Sequence, residues 1–255
     1  MLHGDKGGRL GSHLDKTVVV VSTGRTGTLA LSHYLGSQFD DVTAVHEPKP
    51  SRRFRFISNL HHCGRLDTRR VANALYRARR ARLSALHTDT YVESNPYLHG
   101  CLDALDQVFH NLHVVHIVRH PVSYAQSAIK NGVFTGAKGL GCRFCPYWML
   151  KPEVYEPHSG KRWASMAPEE RLVWRWSRVN ASLDRGSTLL GNRYLRLRFE
   201  DLFDEKGSGL TELANWLQLD AREGDHQKAE AEQLNKGQSA STRPFHDWPD
   251  ELHRS

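Results

Sequence analysis

Four consecutive valines, Val18–Val21, lie between Thr17 and Ser22, the β-branched pattern of a strand buried on both faces. Just beyond, Leu29, Leu31, His33, Tyr34 and Leu35 predict a helix packed on that strand. The alternation then repeats. Asp41–Pro48 reads as a second strand, stopped by Pro48. Asp67–His87 carries Val71, Leu75, Ala78 and Leu86 near one helical face, with Asp67 as its N-cap. TYVES is a short strand before Asn95-Pro96, and CLDALDQVF a short helix. His113–Val118 is another buried-type strand, with a helix opening just after His120-Pro121. Pro168–Leu183 starts with Pro and two acids, as a helix does; Tyr194–Phe199 is a strand and Gly209–Leu217 a late helix. Strands alternating with helices predict an α/β fold: a mostly parallel sheet with helices on both faces and ligands at one strand-end edge. The pattern leaves the strand order open.

A chain of 255 residues fits one domain, here 17–255, behind a Gly-rich polar leader, 1–16, read as flexible. The longest apolar runs, Val18–Val21 and Leu29–Leu31, fall far short of the roughly 20 residues that cross a bilayer. The leader lacks a signal peptide's apolar stretch, so the expected location is cytoplasmic. The net charge of +7 suits an anionic partner without choosing among nucleic acid, nucleotide and acidic substrate. Four cysteines do not make a disulfide scaffold in a chain this long.

Two strand-to-helix junctions carry the candidate chemistry. In STGRTGTL (Ser22–Leu29), Gly24 and Gly27 permit a tight turn whose N–H groups converge on an oxyanion. The positive end of the next helix reinforces this, Thr26 and Thr28 add hydroxyls, and Arg25 adds a planar fork. The alternative is an ordinary βα turn with an exposed Arg. The phosphate-loop pattern GxxxxGK[ST] needs a Lys that is absent. In the second junction Arg119 ends a strand and Ser127 follows eight residues later, where two helical turns would return its hydroxyl beside the guanidinium.

Together these stretches resemble the PAPS-dependent sulfotransferase family, whose donor is 3′-phosphoadenosine 5′-phosphosulfate. TGRTGT is similar to the family's P-[KR]-S-G-T-[TS] phosphosulfate loop, with Thr26 in place of Ser, and RHPVSYAQS to its R-x-P-x5-S segment for the 3′-phosphate. The Arg-bearing loop looks closer to the carbohydrate and protein-tyrosine branches than to the Lys-bearing cytosolic branch. ESNP, LRLRFEDL and NKGQSAS are weaker echoes. The resemblance implies a P-loop-like sulfotransferase fold and donor contacts from Gly24, Arg25, Thr26, Gly27, Thr28, Leu29, Arg119, Ser127 and Lys236. It also implies sulfuryl transfer to an acceptor hydroxyl by in-line displacement, with no metal demanded.

Arg25 is then the residue that stabilises leaving-group charge, and an acceptor hydroxyl needs a base. Glu47, in VHEPKP, is the leading candidate and His46 its rival, since consecutive strand residues face opposite ways. The remaining reading of Glu47 is a strand-end carboxylate paired with Lys49 or Arg52. Cys142 and Cys145 form a zinc half-site, a redox pair or two free thiols. Seven arginines from Arg65 to Arg82 make a solvated helix face or, if functional, an acceptor side selecting an anionic substrate. Glu200 and Asp201 read as caps or partners of Arg196 or Arg198. The acceptor, a small molecule or glycan, and the oligomeric state stay open. A kinase with a variant phosphate loop and a non-catalytic anion-binding protein are the competing classes; no recognition module favours nucleic acid.

Overall fold

Alternation along β1 (Lys16–Ser22) decides the architecture. Val18 and Val20 enter one core with Leu31 and Leu35, while Val19 and Val21 enter another with Leu75 and Tyr91. All four valines are fully buried, so the strand is covered on both faces. The computed structural model describes residues 9–204 and 207–219.

After β1 come α1 (Thr28–Gln38), β2 (Val42–His46), α2 (Ser51–His62), α3 (Thr68–Leu83), β3 (Thr90–Ser94), α4 (Leu102–Val108) and β4 (Leu112–Val118). Then follow α5 (Pro121–Lys130), α6 (Gly136–Phe144), α7 (Pro152–Tyr155), α8 (Pro168–Asp184), α9 (Gly186–Leu190), β5 (Tyr194–Arg198), α10 (Phe199–Leu202) and α11 (Ser208–Leu217). The five strands of the described residues are all parallel, in the order β2-β3-β1-β4-β5, with Val18 opposite Val92 on one side and His113 on the other. Apolar residues of α1 and α11 pack on one face; those of α2, α3, α4 and α8 pack on the other.

This order places the site. From β1 the chain crosses to β2, and from β4 it crosses to β5, so connections leave the adjacent β1 and β4 in opposite directions. A crevice opens at such a switch point, outside the C-terminal strand ends. Both loops singled out in the sequence begin there.

Two expectations change. The stretch read as a flexible leader, 1–16, is docked from Leu10 onward: the Leu10 N–H donates to the Val108 carbonyl at 2.7 Å and its own carbonyl accepts from the His110 N–H at 2.8 Å. Leu10 and Leu14 are buried in the core, the two large apolar side chains between residues 9 and 16. The arginine run is not uniform either. Asp67 caps α3 by accepting from the Arg70 N–H at 2.9 Å, and Arg69 and Arg70 face solvent. Arg79, however, is fully buried and grips Glu93 of β3 with two bonds, 2.5 and 2.7 Å. Burial opposes its charge, yet the Glu93 carboxylate outweighs burial and raises the guanidinium pKa above its ordinary value.

Candidate active site

The loop after β1 is built from left-handed residues: φ is 84° at Gly24, 59° at Arg25 and 68° at Gly27. Ser22 pins it, its Oγ accepting from the Gly24 N–H (3.0 Å) and the Thr26 hydroxyl (2.7 Å). The chain then turns straight into α1, whose first amides have no intrahelical partner and carry the positive end of the helix dipole.

Residues far away in sequence brace this loop. The Arg119 Nη1 donates to the Arg25 carbonyl at 2.7 Å, and the Arg25 Nε donates to the Ser127 hydroxyl at 3.2 Å. Ser127 thus returns to a guanidinium as expected, but to that of Arg25 rather than Arg119. Arg175 of α8 donates to the Thr23 carbonyl (2.9 Å) and the Tyr124 hydroxyl (2.7 Å). Trp176 holds the Arg119 carbonyl at 2.8 Å, and the Arg119 guanidinium lies 4.2 Å from the Phe199 ring centre. Burial lowers the pKa of Arg25, and burial with the Arg25 charge lowers that of Arg119 against the opposing pull of Glu200. The Nε atoms of Arg119 and Arg175 are buried without a hydrogen-bond partner among the described residues. Crowded cations with unpaired donors are what a bound polyanion relieves.

In front of the loop lies a cavity of about 320 Å³. Every residue from Thr23 to Leu29 lines it, as do His46, Glu47, Arg55, Tyr97, Lys138, Trp148 and Arg175. Arg119 and Ser127 brace the loop from outside that lining. Among the described residues Glu47 is the one carboxylate on the wall. Burial raises its pKa above the ordinary carboxylate value, only partly offset by the charges of Arg55 and Arg52. The expectation that only one of His46 and Glu47 faces the site does not hold: both do. Strand alternation ends at His46, and Glu47 turns at φ 42°.

The sequence model of the sulfotransferase family matches residues 17–223, which include both junctions. The chain belongs to the sulfotransferase family. Among solved structures it is similar to the sulfotransferase domain from the curacin biosynthetic pathway, at 14% identity and TM-score 0.53, covering 82% of this chain and 76% of that one. A sulfotransferase from Alicyclobacillus acidocaldarius aligns at 14% identity and TM-score 0.49, covering 85% and 88% of the respective chains. Among curated proteins, none matches the chain. The five-stranded parallel sheet with helices on both faces is thus the sulfotransferase P-loop-like fold that the motifs imply.

In this sulfotransferase Gly27 is constrained twice. Its φ is left-handed, and a Cβ would lie 2.4 Å from Phe203 Cε2 and 3.1 Å from Phe199 Cε2. Gly27→Ala should lower the melting temperature by about 2–8 °C, from roughly 1–2 kcal/mol of backbone strain before any clash is counted. A thermal melt checks this; an unchanged midpoint would mean the loop relaxes freely.

The other sequence candidates fall outside the cavity. None of the arginines from Arg65 to Arg82 lines it, so an acceptor side formed by that run is set aside. Cys63, Cys101, Cys142 and Cys145 are free thiols, and Cys142 packs its sulfur on Met149. Among the described residues no cluster of three or more His, Cys, Asp or Glu is arranged to hold a metal. His61 pairs with Asp103 at 3.0 Å, and His116 is buried between Tyr194 and Asn180. Glu200 accepts from the His120 N–H at 2.9 Å, just before α5, and Asp201 lies 3.9 Å from Arg198. Trp174 is buried, and Trp176 serves Arg119. Lys236 lies outside the described residues. No described helix is long and apolar enough to cross a membrane.

Proposed function

We propose that this sulfotransferase takes its sulfuryl group from 3′-phosphoadenosine 5′-phosphosulfate and delivers it to an acceptor hydroxyl, with Glu47 as base. One observation carries the reading. Two motif segments about a hundred residues apart meet at Arg25, which bonds Ser127 through its side chain and Arg119 through its carbonyl. The donor set suits such a ligand: a left-handed turn at a helix N-terminus, three guanidiniums, and buried Nε atoms still unpaired among the described residues.

The donor supplies an activated sulfuryl group on a phosphate leaving group. Residues Gly24 to Leu29 hold the phosphosulfate end, and Arg119 with Ser127 holds the 3′-phosphate. Glu47 accepts the acceptor's hydroxyl proton as the new O–S bond forms. The bonding pair of the breaking S–O bond leaves with the phosphate, and Arg25 stabilises the added charge as a fixed cation rather than a proton donor. The work is positioning and electrostatics, as in phosphoryl transfer.

In a thermal-shift titration, 3′,5′-bisphosphoadenosine should stabilise the protein at lower concentration than AMP or ATP. Arg119→Ala should weaken bisphosphate binding about 10–100-fold, the loss of one charged hydrogen-bond partner, and abolish the preference over AMP. Arg119→Lys should keep part of it. A preference that survives Arg119→Ala would remove Arg119 from the 3′-phosphate site, and stabilisation by Mg-ATP alone would favour a kinase.

A further inference from the structure

Of the four lysines and arginines that line the cavity among the described residues, three have evident protein tasks. Arg25 bonds Ser127, Arg175 bonds Thr23 and Tyr124, and Lys138 donates to the Asn131 carbonyl at 3.2 Å. Arg55 is different. Its guanidinium carbon lies 4.7 Å from the ring centre of Tyr97 and 4.4 Å from that of Trp148. Its Nη2 donates to the Tyr97 hydroxyl at 2.5 Å. Two rings and one hydroxyl hold the group in place, and no carboxylate among the described residues forms an ion pair with it. Five donors on a planar fork, one of them used, leave capacity for an oxyanion.

Topology assigns Arg55 to the acceptor. It stands on α2, which follows β2, and β2 lies at the sheet edge away from the loops after β1 and β4. Glu47 comes from the end of that same strand, and the Arg55 charge acts on it directly. A cation fixed beside the base, on the side away from the phosphate-binding loops, meets the molecule whose hydroxyl the base deprotonates.

We infer that the acceptor carries a carboxylate as well as its reacting hydroxyl, and that Arg55, clamped by Tyr97 and Trp148, is the residue that selects it. The inference rests on the proposed sulfuryl transfer and narrows its acceptor to hydroxy acids. Carboxylate geometry matches the guanidinium fork in two parallel bonds, which a neutral amide cannot reproduce. The two rings, each partly buried, lower the local dielectric around that contact and strengthen it.

The test uses acid and amide twins in three hydroxyl classes: methyl glucuronoside and its uronamide, 3-(4-hydroxyphenyl)propionate and its amide, and 12-hydroxydodecanoate and its amide. Transfer of radiolabelled sulfate from the donor is measured for each. At least one acid should exceed its amide by tenfold or more in kcat/KM. Arg55→Gln should bring that ratio close to one, and Arg55→Lys, which keeps charge but loses the fork, should leave it in between. A thermal melt with 3′,5′-bisphosphoadenosine runs alongside on every variant. An acid preference that survives Arg55→Gln overturns the inference. So does a set of twins in which no acid is preferred or turned over while the bisphosphate still stabilises the wild-type protein. Absence of bisphosphate stabilisation in the wild-type protein would instead count against the donor reading.

Discussion

Glu93→Ala should lower the melting temperature by roughly 6–20 °C, because removing one partner of a buried ion pair costs about 3–5 kcal/mol in a protein of this size. The Glu93 carboxylate accepts two bonds from Arg79, one from the Tyr91 hydroxyl (3.1 Å) and one from the Asn95 amide (2.9 Å). Both charged side chains are fully buried, so truncation leaves a guanidinium without counter-charge where water does not reach. Arg79 also donates to the Lys49 and Pro48 carbonyls, at 3.2 and 3.3 Å, just after Glu47. The pair therefore ties β3 and α3 to the segment carrying the candidate base. A double variant, Arg79→Met with Glu93→Leu, separates the two duties. It should recover most of the lost stability, since a buried pair exchanged for apolar groups is often neutral. It should not recover full turnover, because the carbonyls beside Glu47 lose their donor. A double variant as unstable as Glu93→Ala would show that packing, not an unpaired charge, sets the cost.

Arg79 also shows what the sequence holds and hides. Val71, Leu75, Arg79 and Leu83 recur every four residues along α3, and all four are buried. One arginine of the run thus lies on the apolar stripe, where a charge requires a buried acid; counting the seven together concealed it. Arg175 likewise shares a stripe with the buried Leu172, Val179 and Leu183 of α8, but there the partners are neutral, the Thr23 carbonyl and the Tyr124 hydroxyl. The two strand-to-helix junctions were legible because strand, turn and helix N-terminus are written in consecutive residues. Arg55 was not. Its neighbours Arg52 and Arg53 are of the same type, and Trp148, which helps pick it out, arrives more than ninety positions later. The presence of both His46 and Glu47 in the cavity depends on a left-handed residue at the strand end, which residue type alone does not announce.

Glu47→Gln should reduce kcat by roughly 10²–10⁴-fold, the usual contribution of a positioned general base, while leaving stabilisation by 3′,5′-bisphosphoadenosine in place. The surroundings of Glu47 explain how a carboxylate can serve. Ser94 has one hydroxyl proton and donates it to the Thr28 carbonyl at 2.7 Å, so toward His46 Nδ1, 2.9 Å away, it is an acceptor. His46 therefore carries its proton on Nδ1 and presents the Nε2 lone pair to Glu47 Oε1 at 3.7 Å. Burial lowers the His46 pKa, with His33 adding to the effect against the opposing pull of a hydrogen bond to Ser94, and the lowered pKa favours the neutral ring. Burial likewise raises the Glu47 pKa, so a proton gained by that carboxylate relieves both desolvation and the facing lone pair. The sign of the pH dependence follows. The acid must be ionised to act, so kcat/KM should fall with decreasing pH through a midpoint above the ordinary carboxylate value. In Glu47→Gln that limb should disappear from the residual rate. Stability should move oppositely: a raised carboxyl pKa makes the ionised form a burden on the native state above the unfolded pKa, so Glu47→Gln should melt higher than wild type near pH 7. The two should converge as pH falls below the unfolded carboxyl value. A Gln variant that keeps wild-type turnover would end the assignment of Glu47 as base. One that melts no higher at neutral pH would show that its carboxylate is not desolvated in the free enzyme.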